Sequence, residues 1–460
     1  MLTLRKLRNS LFLLILAILT LSWLPFIKRR KVSQEAKNRV EAVFSDAQNT
    51  NAQVCILEDG PEALAARIGL INEARKSIDI SYYRIDTHSK VSSIFYGALI
   101  KAAERGVKVN LVVDAKLGGI DSDFLSVLTN IENMTVYFYN PVSWFHPSTL
   151  QTTLHNKYLI VDDRWIISGG RNIKDTFYEP IHSKSSTSLD LDLLIECELE
   201  SHIYQDFSSL RHSLMDSTVS SIMHKKRNKR TQSIEDKFID AYRRYNEETK
   251  MDLASLQSRM YEVSRIRAVH NNCNLGLKEP IVAYALYYLA KHNRESIRIQ
   301  SPYVTADKRI LEILKDINTK SSLNLYTNSL KTSPNYPAFS NYWTQRDKFM
   351  NTGTTVFEYQ NHENISVHTK AYLFDSWAAM GSFNLDNRSI NINTETMIFS
   401  DDIHFHEDIR KILDRIENQS VNLKSYGDTY HRDYDKPVSF KKRFVMRLSG
   451  IFSRLFKSLI

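Results

Sequence analysis

The sequence predicts an α/β protein made of two similar halves. Three observations predict it. Strand-like stretches alternate with amphipathic helices, the alternation occurs twice, and each occurrence leads to the same short motif. In the first occurrence residues 77–86 (SIDISYYRID) read as a buried strand that ends in aromatic and polar residues. A helix (IFYGALIKAAERG) and a second strand (VKVNLVVDA, 107–115) follow. In the second, residues 296–304 (SIRIQSPYV), RILEILKDINTK and SLNLYTNS repeat the order. Such alternation reads as α/β with a largely parallel sheet.

The two occurrences set the domain organisation. Residues 32–225 form the first half and 226–430 the second, flanked by terminal segments 1–31 and 431–460. The joining stretch near 220–250 is highly charged (HKKRNKR, then YRRYNEETK) and lacks a strand pattern. That composition suits a helical connection better than a loose linker. With 460 residues, 42% hydrophobic and 25% charged, there is ample material for a core.

The net charge of +9 is unevenly placed. Residues 1–31 carry seven basic side chains and no acid, and residues 437–460 carry six and no acid. The body between them has 48 basic against 52 acidic residues. A duplex-binding enzyme needs Lys and Arg along its binding surface. Here the excess sits at two apolar-rich ends, which points to anionic lipid and away from nucleic acid.

Residues 11–27 (LFLLILAILTLSWLPFI) carry no charge. As a helix they span about 26 Å, slightly short of a bilayer core, and snorkelling Arg8 and Lys28 make up the difference. A signal peptide has the same basic and apolar order. No A-x-A site follows and KRRK comes next, so a retained anchor is favoured; basic residues on both sides leave its orientation open. At the other end Phe440, Phe444, Leu448, Ile451, Leu455 and Leu459 share one helical face, which Phe452 and Phe456 widen, opposite basic residues. A helix of this kind can lie in a bilayer interface, which the absence of acids favours, or dock on the enzyme's own core. Cys55, Cys197 and Cys273 are unpatterned and read as buried inert thiols.

The chemistry lies in two motifs. LHNKYLIVDDRWIISGGRN supplies His155, Lys157, Asp162, Gly169, Gly170 and Asn172. VHTKAYLFDSWAAMGSFN supplies His368, Lys370, Asp375, Gly381, Ser382 and Asn384. In each, His and Lys lie two apart at the start of a strand and so share a face. The tripeptide H-x-K occurs five times, at His88, His155, His182, His224 and His368, but only two of these have Asp five residues after the Lys. The paired strand–turn–strand–G-[GS]-x-N context makes coincidence implausible. Two imidazoles on one site can serve as a nucleophile and a proton carrier. Lys157, Lys370, Asn172 and Asn384 can hold an anionic group beside them. No metal or other cofactor is needed. His404 and His406 read as a solvated helix edge.

This constellation resembles the phospholipase D superfamily over nearly all of residues 50–430. The resemblance implies two α/β halves with mixed sheets flanked by helices, packed face to face around one active site. It implies a covalent phosphohistidine and an acid on a later strand holding each imidazole. Glu395 in NTETMIF matches that acid for the second half, and Asp190 or Asp192 for the first. Asp162 and Asp375 read as structural. His155 is preferred as nucleophile and His368 as general acid, with the reverse open.

ISYYRID, LIKAAERGVKVNLVVDA, LYTNSL and GSFNLDNRSININTE look similar to bacterial cardiolipin synthases, chiefly those of the C type. The likeness implies a bacterial inner-membrane enzyme. It transfers a phosphatidyl group from phosphatidylglycerol or phosphatidylethanolamine to phosphatidylglycerol. Hydrolysis to phosphatidic acid is the alternative, and nuclease action a less favoured one. Two features depart from the pattern. The spacing from Asp375 to Gly381 is one residue shorter than from Asp162 to Gly169, which predicts a tighter turn near Ser376 and Trp377. The N-terminal apolar segment is not expected in the C type.

Overall fold

The computed structural model describes residues 2–45, 52–143, 145–179, 187–220, 228–249, 253–361, 365–425 and 438–455. His182, His224, Phe456 and Leu459 lie outside the described residues, as does most of the HKKRNKR stretch.

The first part of the chain supplies β1 (Ala52–Leu57), β2 (Ser77–Tyr82), β3 (Lys108–Asp114), β4 (Met134–Tyr139), β5 (Tyr158–Val161), β6 (Trp165–Gly169), β7 (Ser188–Leu189), β8 (Asp192–Cys197), β9 (Thr218–Ser220) and β10 (Tyr261–Val263). The second supplies β11 (Ile266–His270), β12 (Ser296–Gln300), β13 (Ser322–Asn328), β14 (Thr355–Tyr359), β15 (Ser366–Val367), β16 (Ala371–Leu373), β17 (Ala378–Gly381), β18 (Thr396–Ser400) and β19 (Ser420–Asn422). One sheet runs β10-β1-β8-β6-β5-β2-β3-β4-β9 and the other β11-β18-β17-β16-β12-β13-β14-β19. Only β2-β3-β4 and β12-β13-β14 pair in parallel within them. These are the βα units read from the sequence. The motif hairpins β5-β6 and β16-β17 add antiparallel strands, so both sheets are mixed.

Strand alternation explains the layering. Each sheet buries one face under its own helices, with Ile78, Ile80 and Leu111 in the first outer core and Ile297, Leu323 and Leu325 in the second. The inner faces share a third core. Tyr158, Ile166 and Ile195 of one sheet meet Met380 and Ile398 of the other there. The helices His202–Met215 and Ile403–Asn418 fill it through Phe207, Leu210, Ile409 and Leu413. β7 and β15, one from each half, pair across this interface.

The division at residue 225 is corrected by the packing. The helix Lys229–Glu248 lies on Lys90–Glu104, and β10 pairs with β1, so the first half extends to about residue 263. Gly97 makes the helix contact possible, since a Cβ there would lie 2.2 Å from the Phe238 carbonyl oxygen. Conversely Gln34–Ser45 packs against Ile281–His292, placing Val40, Val43 and Phe44 in the second half's core.

The predicted tight turn is present. Val161 and Trp165 pair across three loop residues, whereas Phe374 and Trp377 close over Asp375 and Ser376. The missing residue is absorbed there. Gly169 N–H still bonds the Lys157 carbonyl (3.4 Å), as Gly381 does that of Lys370 (3.3 Å). The three cysteines are buried and free, and burial pushes Cys197 up to about 11.

Both ends are helical. Leu2–Trp23 is long and apolar enough to cross a membrane, a test that an anchor and a signal sequence both pass. Phe440–Leu455 docks on Tyr336–Trp343 through Met446 and Gly450. Of the two readings open for this segment, docking on the enzyme's own core accounts for the Met446 face. The stripe of Phe440, Phe444 and Leu448 does not take part in the docking and stays exposed.

Candidate active site

The two motifs converge because each hairpin is stitched to the other half. Thr394 N–H bonds the Thr153 carbonyl (3.1 Å), and His155 N–H bonds Thr394 Oγ1 (2.9 Å). Across the pseudo-twofold, Ser366 N–H bonds the Thr187 carbonyl (3.1 Å) and His368 N–H that of Leu189 (2.6 Å). His155 and His368 thereby face one cavity of about 910 Å³, lined also by Asn172, Asn384, Tyr83, Tyr303, Phe177 and Arg388.

The carboxylates cross over. His155 Nδ1 lies 2.9 Å from both oxygens of Glu395 in the second half. His368 Nδ1 lies 2.6 Å from Asp190 Oδ2 in the first. The expected pairing within each half is corrected. Docking places the residue just before β18 beside the motif before β5, and the residue just after β7 beside the motif before β16. Asp192 is not at the site, because Arg67 (2.7 Å) and Arg171 (3.1 Å) hold it in a fully buried ion cluster. An imidazole whose Nδ1–H is held by a carboxylate presents Nε2 for chemistry.

The electrostatics of the two pairs differ. Burial raises Glu395 to about 7 despite Lys157. Burial would raise Asp190 too, but Lys370 and His368 outweigh it and hold it below its ordinary value. Burial and then Lys157 push His155 well below 6.5, while burial and Lys370, partly opposed by Asp190, take His368 to about 4. Lys157 falls to about 7 and Lys370 to about 8, chiefly through burial. Lys157 Nζ donates to the His155 carbonyl at 2.6 Å, and Lys370 Nζ to the His368 carbonyl. An anionic phosphodiester would favour the protonated form of all four groups.

Asn172 and Asn384 are buried against the cavity, and their Oδ1 atoms have no hydrogen-bond partner among the described residues. Asp162 and Asp375, grouped with the reacting residues by motif, lie outside the cavity. Asp162 accepts the backbone N–H groups of Arg75, Lys76 and Ser77 at 2.8, 2.7 and 2.9 Å. Asp375 accepts those of Arg294 (2.7 Å) and Glu295 (3.2 Å). Each carboxylate ties the motif turn to the start of its half's first βα strand. His406 also departs from a purely solvated edge, because it is half-buried and its Nε2 lies 2.8 Å from the Phe374 carbonyl oxygen.

Sequence reasoning missed an aromatic surround. The Tyr83 ring lies 5.3 Å from His155, and Phe177 and Tyr303 lie 5.0 and 6.0 Å from His368. The available signal was the aromatic residue just after the first strand of each βα unit. Arg388 was also missed. It sits in the cavity wall and bonds the Gln151 carbonyl (2.6 Å) and Thr153 Oγ1 (3.1 Å).

Two sheets packed face to face, each bringing one His–Lys pair to a common cavity, define a duplicated phosphodiester-type site. The chain belongs to the phospholipase D superfamily, since the family model described as cardiolipin synthase, phospholipase D-like domain, matches residues 68–210 and 288–417. Cardiolipin synthase C of Escherichia coli K12 is 24% identical over 382 residues, 74% of this chain and 79% of that protein. An uncharacterised protein of Helicobacter pylori J99 is 29% identical, covering 81% of this chain and 80% of that one. The crystal structure of a phosphatidylserine synthase from Haemophilus influenzae superposes with a TM-score of 0.65 at 14% identity, covering 92% of this chain and all of that one. The chain is thus a superfamily enzyme related to cardiolipin synthases.

Proposed function

We propose that the protein is a phosphatidyltransferase that joins two phospholipids, using phosphatidylglycerol as acceptor and a phosphatidylglycerol or phosphatidylethanolamine donor. The observation that carries the reading is the pair of crossed His–carboxylate contacts facing one cavity. His155 Nε2 attacks the donor phosphorus, and the bond to the headgroup alcohol breaks as His368 Nε2–H protonates it. The acceptor hydroxyl then gives its proton to His368 and attacks the phosphohistidine, freeing His155. Lys157, Lys370, Asn172 and Asn384 hold the non-bridging oxygens as charge builds. His155 suits the nucleophile because burial and Lys157 hold its imidazole neutral. The firmly ionised Asp190 supports a proton on His368. Cardiolipin synthase C and phosphatidylserine synthase, by their names, make phospholipids, which favours a lipid substrate. The N-terminal helix is read as an anchor in a bacterial inner membrane.

The test supplies labelled phosphatidylglycerol in mixed micelles, with and without phosphatidylethanolamine. Cardiolipin that vanishes in His155→Ala is the expected outcome. Phosphatidic acid alone would identify a hydrolase, and no lipid product would turn attention to nucleic-acid substrates.

A further inference from the structure

Three uncovered apolar elements lie near the cavity; the first and third adjoin its lining residues, and the second packs on the first. The first is the N-terminal helix, whose foot is fastened beside the mouth. Gln151 Nε2 donates to Ser22 Oγ (3.1 Å), Phe26 packs on Ile392 with Trp23 alongside, and Arg29 pairs with Asp307. Gln151 and Ile392 adjoin Thr153 and Asn393, which line the cavity. The second is the stretch 145–150, where Phe145 is 92% exposed and the turn Pro147–Leu150 packs on the N-terminal helix. That stretch is braced. Asn140 Nδ2 donates to the Thr149 and Thr152 carbonyls (2.7 Å each), and Lys116 Nζ donates to the same two at 2.8 and 2.6 Å. The third is the helix Phe440–Leu455. Lys442 Nζ reaches the carbonyls of Lys331 (3.0 Å) and Ser333 (3.4 Å) and stands 5.2 Å over the Tyr336 ring. Tyr336, Thr332 and Pro334 form the cavity wall on that side. Phe440, Phe444 and Leu448 are left 73%, 52% and 44% exposed, beside exposed Lys441 and Arg447.

We propose that these elements form one contact face that seats the cavity mouth on an anionic lipid bilayer. Phe145 and the Phe440–Phe444–Leu448 stripe enter the interface, and Lys441 and Arg447 meet lipid phosphates. The proposal rests on the phospholipid reading of the site and adds where the bilayer lies. Large aromatic residues on braced elements, fringed by basic side chains, match an interface that is apolar below and negatively charged above. A solvent-facing surface leaves such side chains unburied. With the mouth on the bilayer, a headgroup phosphate reaches the histidines while its acyl chains stay in lipid.

The test uses the full chain carrying an environment-sensitive fluorophore at Phe145→Cys or Phe444→Cys, with Lys76→Cys, at the far end of β2, as control. Vesicles of phosphatidylcholine with phosphatidylglycerol are added, and binding is followed by flotation. Labels at 145 and 444 shift to apolar emission and the one at 76 does not. Labels at 145 and 444 that stay in water while the protein floats through its N-terminal helix overturn the proposal, whatever the substrate proves to be. A second measurement compares turnover of phosphatidylglycerol in vesicles with that of bis(4-nitrophenyl) phosphate in solution. The Phe145→Ser/Phe444→Ser variant is expected to lose about tenfold on vesicles and nothing on the soluble diester. Equal losses on both substrates, or none on vesicles, contradict it. If the unmodified protein cleaves only the soluble diester, the lipid substrate falls, and the fluorophores still decide the contact face.

Discussion

At the position after the motif glycine the first half has Gly170 and the second has Ser382. A Cβ on Gly170 would lie 2.2 Å from Asp190 Oδ1, so that carboxylate passes where a side chain would stand. Ser382 instead donates its hydroxyl to Glu395. Two residues beyond Asp190 the first half buries Asp192 between Arg67 and Arg171, whereas at the corresponding place after Glu395 the second half carries buried Met397. The same backbone thus provides one firmly ionised acid and one raised to about 7. Duplication supplied two equal half-sites, and a few buried neighbours made them unequal. On the proposed mechanism, that inequality suits one imidazole to attack while the other carries a proton.

The largest expected effect tests whether the roles are unequal at all. His155→Ala and His368→Ala each lose about 10⁴-fold or more in turnover, and the double variant loses little further, because groups acting as a unit are not additive. A diester with a p-nitrophenolate leaving group needs no proton. It should restore phosphoenzyme formation to His368→Ala alone; restoration in His155→Ala instead would reverse the assignment.

Next come the carboxylates. Asp190→Asn is expected to lower kcat about 100-fold and Glu395→Gln about tenfold, within the range found for groups that orient a reacting ligand. Equal losses, read from kcat at several pH values, would remove the electrostatic distinction.

The lysines come third. Their values of about 7 and 8 are depressed, so their charge is complete below that range and is lost as pH rises through it. A fall in kcat/KM on the alkaline side is expected, beginning near neutrality. Lys157→Arg should shift that limb upward, because a guanidinium stays charged.

The smallest effect separates structure from chemistry. Asp162→Ala and Asp375→Ala remove the acceptor of N–H groups that are exposed, apart from half-buried Ser77, and should cost about 0.5–1.5 kcal/mol of stability, with kcat nearly unchanged. Asp162, with three donors against two, should cost more in urea unfolding.

Much of this was legible in the chain. Strand periodicity and the matched motifs disclosed the halves, the parallel cores of both sheets and the four residues His155, Lys157, His368 and Lys370. The crossing of Glu395 and Asp190 was not legible, because local pattern records which strand a residue adjoins and not which half faces it. The allegiance of 34–45 and 229–263 was hidden for the same reason. Gly97 shows its purpose only once Phe238 lies over it. The C-terminal stripe was visible, but the docking residues Met446 and Gly450 lie off it and gave no periodic signal.

The crossed contacts have a consequence for biosynthesis. Translation delivers His155 long before Glu395, and a nascent chain that has folded only its first half holds an imidazole with no partner and a cavity with one wall. A chain that has folded only its first half is therefore expected to lack phosphodiester chemistry until Glu395, just before β18, has been made and docked.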